Sequence, residues 1–100
     1  MLTTRLSHFL RVTLLAALLV IAGCQSAPVQ EMSDARQAIT VAKNAGAEEL
    51  APNDIKAAMD YLQSAEGYIN QRQYDMARRD AVNAKASALD ALRRSSPDQP

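Results

Sequence analysis

Residues 52–94 read PNDIKAAMDYLQSAEGYINQRQYDMARRDAVNAKASALDALRR, and this stretch decides the fold. In its first half, apolar and small residues recur every three or four positions, which is the spacing of one helix face. They form two neighbouring stripes, namely Ile55, Met59, Leu62 and Ile69, and Ala58, Tyr61, Ala65 and Tyr68. Because the two stripes together cover about half the circumference, we expect this helix to touch two neighbours and to be the middle element.

The second half of the stretch predicts a further helix, from about Tyr74 to Arg94. A tyrosine and five alanines follow each other there at intervals of three and four: Tyr74, Ala77, Ala81, Ala84, Ala88 and Ala91. Alanine side chains are small enough to let another helix approach closely. Only QRQ, residues 71–73, separates the two helical segments. A link this short predicts antiparallel neighbours.

Upstream of this stretch, residues 29–44 predict a first helix. Its inward face is formed by Met32, Ala35, Ile39 and Ala42. Gly46 is expected to end the helix, because glycine adopts the left-handed backbone conformation at little cost. No segment shows the apolar–polar alternation of a strand. The predicted fold class is therefore all-α, a three-helix antiparallel bundle.

The N-terminus has a different character from the rest of the chain. Residues 1–11 are weakly basic, residues 12–20 form the apolar run VTLLAALLV, and the segment IAGC follows. Basic, then apolar, then small residues is the layout of a secretory signal peptide. The alternative is an uncleaved membrane anchor over residues 12–29, although Gly23 and Pro28 lie within that stretch.

The segment Ile21-Ala22-Gly23-Cys24 resembles the bacterial lipobox. The resemblance implies that diacylglycerol is attached to the Cys24 sulfur and that signal peptidase cuts between Gly23 and Cys24. It also implies further acylation, for example with palmitate, so that several chains hold the protein firmly at the membrane. Gln25, where an aspartate would retain the protein at the inner membrane, implies the outer membrane and its periplasmic face. A free thiol or an intermolecular disulfide is the alternative for a lone cysteine.

These features divide the chain into four parts. Residues 1–23 are the predicted lipoprotein signal peptide, and residues 24–30 are the lipidated cysteine and a tether. Extended residues 25–30 would reach about 20 Å. Residues 31–95 form the predicted alanine-rich helical domain, and residues 96–100 are a predicted disordered tail.

Composition excludes several functional classes. The net charge is zero and no basic run follows Cys24, so we expect no nucleic-acid partner. The only histidine, His8, lies in the predicted signal, and the only cysteine is expected to carry lipid. Metal sites and the usual nucleophile–base pairs are therefore not expected. We predict a non-enzyme with no cofactor apart from the covalent lipid and no small-molecule substrate.

Pairs of carboxylates are the remaining enzymatic option. They are Glu48 with Glu49, and Asp60 with Glu66. A glycosidase needs two carboxyl groups beside a cleft, for which a thin bundle has little room. The simpler interpretation is that these acids are solvated and that Asp60 pairs with Lys56.

Two resemblances concern the helical domain. Tyr61, Ala65, Tyr68, Tyr74, Ala77 and Ala84 are spaced as in one tetratricopeptide (TPR) unit, although Ala81 stands where that repeat has a large aromatic residue. The whole domain resembles small bacterial lipoproteins that carry an alanine-rich helical domain of unknown function. That pattern is carried by Ala35, Ala38, Ile39, Ala42, Ala45-Gly46-Ala47, Leu50-Ala51-Pro52, Ala58, Leu62, Ala65, Tyr74, Ala77, Ala81, Ala84 and Ala88.

From these observations we expect a non-catalytic protein-interaction module, anchored to the membrane and binding an envelope protein. The predicted interaction surface is Met76, Arg79 and Asn83, with Met76 exposed. Met59, Leu62 and Ile69 are expected to face the first helix without being fully covered. Two alternatives remain open. One is a structural alanine-zipper lipoprotein, although Gly46 and Pro52 would interrupt its long coiled coil; the other is an accessory factor acting on peptidoglycan.

Other side chains on these helices have simpler interpretations. Tyr61, Tyr68 and Tyr74 would form either a peptide-binding patch or, as we favour, inter-helix packing with the hydroxyl groups at the rim. A mixed set of charges on the last helix is predicted to be a solvated face, and comprises Asp75, Arg79, Asp80 and Asp90.

Overall fold

The structure, a computed structural model, describes residues 2–22 and 26–96, with side chains over residues 3–16 and 26–96. Its five helices are α1 (Leu2–Ala22), α2 (Val29–Asn44), α3 (Ala47–Leu50), α4 (Pro52–Asn70) and α5 (Tyr74–Ser95). No strand occurs in these ranges. The predicted all-α class is therefore confirmed. The three predicted helices correspond to α2, α4 and α5, whereas the short α3 was not predicted.

The three long helices run up, down and up. At one end, Glu31 near the start of α2 accepts a hydrogen bond from Arg78 near the start of α5, at 3.1 Å. At the other end, Arg94 of α5 lies 2.9 Å from Asp54 in the first turn of α4. α2 and α5 are therefore parallel, and α4 is antiparallel to both. Because the helices fold back on each other, the chain does not form one continuous coiled coil.

The middle element is α5, so the prediction that α4 takes this place was wrong. α5 packs against α2, α3 and α4, whereas α2 and α4 contact each other much less. The reason lies in the alanine seam of α5, which consists of Ala77, Ala81, Ala84, Ala88 and Ala91, all completely buried. Side chains this short let a neighbour approach closely from two directions. The predicted seam itself is confirmed.

The core consists mainly of alanine and lies in two adjoining clusters. The larger cluster is formed by Ala38, Ile39, Ala42, Ala47, Ala51, Ile55, Ala58, Ala88 and Ala91. The smaller one is formed by Met32, Ala65 and Ala81, with Ile69 packed against it. Leu62 packs against both clusters and joins them. The helices are therefore held together by close backbone approach more than by large apolar side chains.

Two residues at the turns have a left-handed backbone. Gly46 has φ +85° and follows the end of α2, as predicted. Arg72 has φ +59° and follows the end of α4. Its N–H donates to the Ile69 carbonyl, and the Gln73 N–H donates to the Tyr68 carbonyl, both at 2.9 Å. This is the Schellman arrangement, in which glycine usually takes the position of Arg72.

The N-terminal helix α1 lies apart from this packing. Over the described residues, it makes no contact with the other four helices. Its large apolar side chains are exposed, by 61% to 77%: Leu6, Phe9, Leu10, Val12, Leu14 and Leu15. In the described part of the chain, no helix combines the length and the apolar character needed to cross a bilayer.

Candidate functional site

The predicted lipidation site lies at the border of the described structure. Ile21 and Ala22 are the last residues of α1. Gly23, Cys24 and Gln25 lie outside the described residues, as do residues 97–100 of the predicted tail. The description resumes at Ser26, two residues after the predicted lipid-bearing cysteine.

The segment that follows is bound to the bundle from its first described residue. Arg78 of α5 donates from Nη2 to the backbone carbonyl of Ser26 at 3.2 Å, and from Nε to Glu31 at 3.1 Å. Pro28 is fully buried. Its carbonyl accepts a hydrogen bond from the Met32 N–H, and Met32 is itself part of the core.

This arrangement bears on the length of the predicted tether. α2 begins at Val29, as predicted for the first helix, and so overlaps the last two residues assigned to the tether; the Pro28 carbonyl accepts its first intrahelical bond. Since Ser26 is held by Arg78, the part between Cys24 and the first bundle contact spans two residues. Two extended residues reach about 7 Å, instead of the 20 Å expected for six.

The predicted interaction surface of Met76, Arg79 and Asn83 lies along α5. Arg79 is exposed, with 60% of its side chain accessible, and its Nε lies 3.6 Å from Asp80. Met76 and Asn83 are half-buried. The expectation that Met76 is exposed was therefore wrong, because Met76 lies one helical turn before Asp80, which is buried, and shares its side of α5. Of the three side chains, Arg79 is the most accessible.

Asp80 was predicted to belong to a solvated face, and this was also wrong. Its side chain is only 8% exposed. The Ser64 hydroxyl of α4 donates a hydrogen bond to Asp80 Oδ2 at 2.6 Å. Asp80 directly precedes Ala81 of the seam, so the close approach of α4 covers it, and Ser64 supplies the hydrogen bond that a buried carboxylate requires. This residue was missed because its partner is distant in sequence.

Beside this pair lies a shallow depression of about 350 Å³, lined by Ala57, Asp60, Tyr61, Ser64 and Asp80. Tyr61 is 39% exposed there. Tyr68 and Tyr74 are half-buried. None of the three tyrosines belongs to the core clusters of the described chain. The tyrosines therefore lie at the rims of the helix contacts.

A second depression, of about 320 Å³, separates α2 from α4, where Met59 and Leu62 were expected to face the first helix without being fully covered. It is lined by Ile39, Lys43, Met59, Asp60, Leu62, Gln63 and Glu66. Met59 remains 44% exposed. The larger side chains of α2 and α4 keep these two helices apart here, whereas the alanines of α5 bring both towards the middle helix. The cleft thus has apolar walls and a charged rim.

Three of the four carboxylates considered as catalytic pairs have a basic partner. Lys56 Nζ lies 2.7 Å from Asp60, as predicted, and Arg36 lies 3.3 Å from Glu66. Glu48 lies 3.4 Å from Lys43. Within the described ranges, no three acidic, histidine or cysteine side chains are grouped so that they could hold a metal ion.

The family of the chain is shown by its sequence. The model of the family described as "Domain of unknown function (DUF4398)" matches residues 30–96, which is about two thirds of the chain. The chain belongs to the DUF4398 family. The predicted likeness to an alanine-rich helical domain of unknown function is therefore confirmed. No curated protein and no solved structure matches the chain.

The DUF4398 match covers almost all of α2 and the whole of α3, α4 and α5. It therefore coincides with the packed bundle. Arg78 lies inside the matched region, whereas Ser26 and Pro28, which it helps to hold, lie before it. The lipoprotein character and the likeness to a tetratricopeptide unit stay predictions from the sequence.

Proposed function

We propose that this DUF4398 protein is an envelope lipoprotein, anchored through lipid on Cys24, whose helical bundle is a non-catalytic protein-interaction module. One observation carries the proposal. The lipobox-like segment ends two residues before Ser26, where the contacts of the bundle begin, while α1 packs against none of the described bundle. Cleavage before Cys24 would therefore remove α1 without removing any part of the core.

The proposed anchor explains the division of the chain into two kinds of helix. α1 exposes large apolar side chains over residues 6–15, which suits a segment that enters a membrane before removal. A thioether to diacylglycerol and a further acyl chain on the Cys24 amine would then hold the bundle, since two or more chains give stable anchoring. Gln25 favours the outer membrane, with the bundle facing the periplasm.

In this proposal the bundle acts by presenting a surface to which a partner protein binds. α5 presents Arg79 and the exposed apolar side chains of Val82 and Leu89, which are 53% and 39% accessible. Asn83 lies beside Val82 and is half-buried. A protein partner in the envelope would cover these apolar groups, whose burial is favourable, and would pair with Arg79, because arginine is enriched among the residues that dominate binding energy.

Site-specific photocrosslinking in cells tests the module. A photoreactive residue in place of Arg79 or Asn83 is expected to capture one and the same envelope protein. The control is Glu49 of α3, which is exposed and lies at the far end of the bundle. Equal capture from all three positions, or none from any, would contradict an interaction surface on α5.

A further inference from the structure

One end of the bundle gathers the start of the described mature chain and the turn between α4 and α5. We call it the anchor end, and define it by residues 26–29 and 70–75. Arg78 joins its parts, because it bonds the Ser26 carbonyl and Glu31 from the second turn of α5. The opposite end contains α3, the first turn of α4 and the C-terminus of α5.

The anchor end is held close to the proposed lipid. Ser26 is bonded and Pro28 is fully buried, so the chain is fixed there and cannot act as a long flexible spacer. Cys24 lies two residues earlier and therefore within about 7 Å of Ser26 along the chain. If Cys24 is at the membrane surface, the side chains that surround Ser26 reach the lipid headgroups.

The exposed chemistry of this end suits such a surface. Val29 is 73% exposed, so an apolar side chain is available to the boundary between headgroups and acyl chains. Arg72 is exposed at the tip of the turn. In the described bundle, Arg72 and Lys85 are the two basic side chains without an ion-pair partner. A free guanidinium group is well shaped to bind phosphate oxygens.

The backbone of Arg72 is a second and independent observation. Its φ of +59° is the left-handed conformation that costs a residue with a Cβ roughly 1–2 kcal/mol. Glycine or asparagine would satisfy the Schellman turn more easily. An arginine that persists in a strained position points to a use for its side chain.

We infer that the anchor end rests directly on the lipid headgroups, with the Arg72 guanidinium bound to lipid phosphate. This inference rests on the proposed lipid attachment to Cys24. It fixes the orientation of the whole bundle, since α4 is 19 residues long and so spans about 28 Å. The end that contains α3 then stands about that distance from the membrane surface.

Headgroup quenching in vesicles tests this orientation with the lipid-modified mature protein. Cys24 is the only cysteine, and a thioether would block it, so one added cysteine accepts a fluorophore selectively. Gln71→Cys marks the anchor end, and Glu49→Cys is the matched control at the opposite end; both positions are exposed. The vesicles contain phosphatidylethanolamine, phosphatidylglycerol and a lipid with a nitroxide on its headgroup.

Quenching is expected to be several-fold stronger at position 71 than at position 49. Equal quenching, or stronger quenching at position 49, in protein that floats with the vesicles would overturn the orientation alone. Protein without acyl chains that fails to float would overturn the lipoprotein proposal and the orientation together. The two failures are therefore distinguishable.

The role of Arg72 is tested in the Gln71→Cys protein. Arg72→Glu is expected to lower quenching at position 71 by about twofold or more, because each basic residue near an anionic surface changes the binding equilibrium roughly fivefold. Arg72→Lys keeps the charge and is expected to retain most of the quenching. Equal quenching in the two variants would overturn the assignment of Arg72 to lipid phosphate.

Discussion

α1 and α5 are almost equally long, with 21 and 22 residues, but they differ in how far their apolar side chains are buried. α1 carries many large apolar side chains, and those described are exposed. α5 contributes mainly alanine to the core, and its five seam alanines are completely buried. The difference shows that the spacing of apolar residues decides whether a helix packs, while their size and number alone do not.

The physical reason is the distribution of apolar groups around each helix. In α1, Phe9, Leu10, Val12 and Leu14 follow so closely that no single face collects them. A neighbour could cover only a part of such a surface. In α5 the alanines recur at intervals of three and four, so one narrow seam collects them all. α2 and α4 can then share that seam.

Overpacking the seam should give the largest effect. Ala84→Leu or Ala81→Leu is expected to lower the free energy of unfolding by about 1–3 kcal/mol, because the completely buried seam has no space for three further carbon atoms. Ala86→Leu is the matched control on the exposed side of α5, and we expect it to change the free energy of unfolding by less than about 0.5 kcal/mol. Urea unfolding followed by circular dichroism measures both, and equal effects would contradict the seam.

The buried pair of Ser64 and Asp80 should have the next largest effect. Ser64→Ala is expected to cost about 2 kcal/mol, since it removes the 2.6 Å hydrogen bond to a carboxylate that is almost fully buried. Asp90→Ala is the control, because Asp90 pairs with Arg93 on the surface and such pairs contribute at most about 1 kcal/mol. A double-mutant cycle of Ser64→Ala with Asp80→Ala that shows no coupling would contradict the contact.

The two left-handed turns should respond in opposite directions. Gly46→Ala is expected to destabilise the protein by about 1–2 kcal/mol, since alanine is strained at φ +85°. Arg72→Gly is expected to stabilise the protein by up to about 1 kcal/mol, because glycine relieves a similar backbone strain. The gain is limited, since glycine also gives the unfolded chain more conformational freedom. Thermal unfolding of both variants measures the effects. Destabilisation by Arg72→Gly would show that the arginine side chain itself supports the fold.

The smallest effect is expected from α1. Leu14→Ala, which shortens an exposed side chain, should change the unfolding midpoint of the uncleaved Cys24→Ser protein in detergent by less than about 2 °C. Ile55→Ala in α4 is the control, since Ile55 is buried and its truncation should cost about 2–5 kcal/mol. Comparable losses in the two variants would mean that α1 contributes to the core.

Much of the bundle could be predicted because its signals are local. The bounds of α2, the start of α4, the alanine seam of α5 and the left-handed Gly46 follow from periodicity and from residue types with strong backbone preferences. Each of these depends on residues within a few positions of each other. Sequence patterns record such features directly.

The features that were missed depend on contacts between distant segments. Asp80 is buried because Ser64 comes close to it from another helix, and α5 is central because its alanines admit two neighbours. The left-handed backbone of Arg72 could not be predicted, because arginine has no preference for this conformation that the sequence would reveal. Arg78 likewise gave no sign that it holds the Ser26 carbonyl.

The central claim is that α1 is removed and that lipid on Cys24 replaces it as the only connection to the membrane. Labelling cells with a palmitate analogue, followed by membrane fractionation, tests this most directly. Wild type and the control Ser26→Ala, which keeps the backbone carbonyl bound by Arg78, should carry the label and sediment with membranes. Cys24→Ser should lose the label and should keep residues 1–23, which mass spectrometry detects, whereas labelled wild type should begin at Cys24. An unlabelled wild type, or a membrane-bound wild type that still carries residues 1–23, would contradict the account and favour an uncleaved N-terminal anchor.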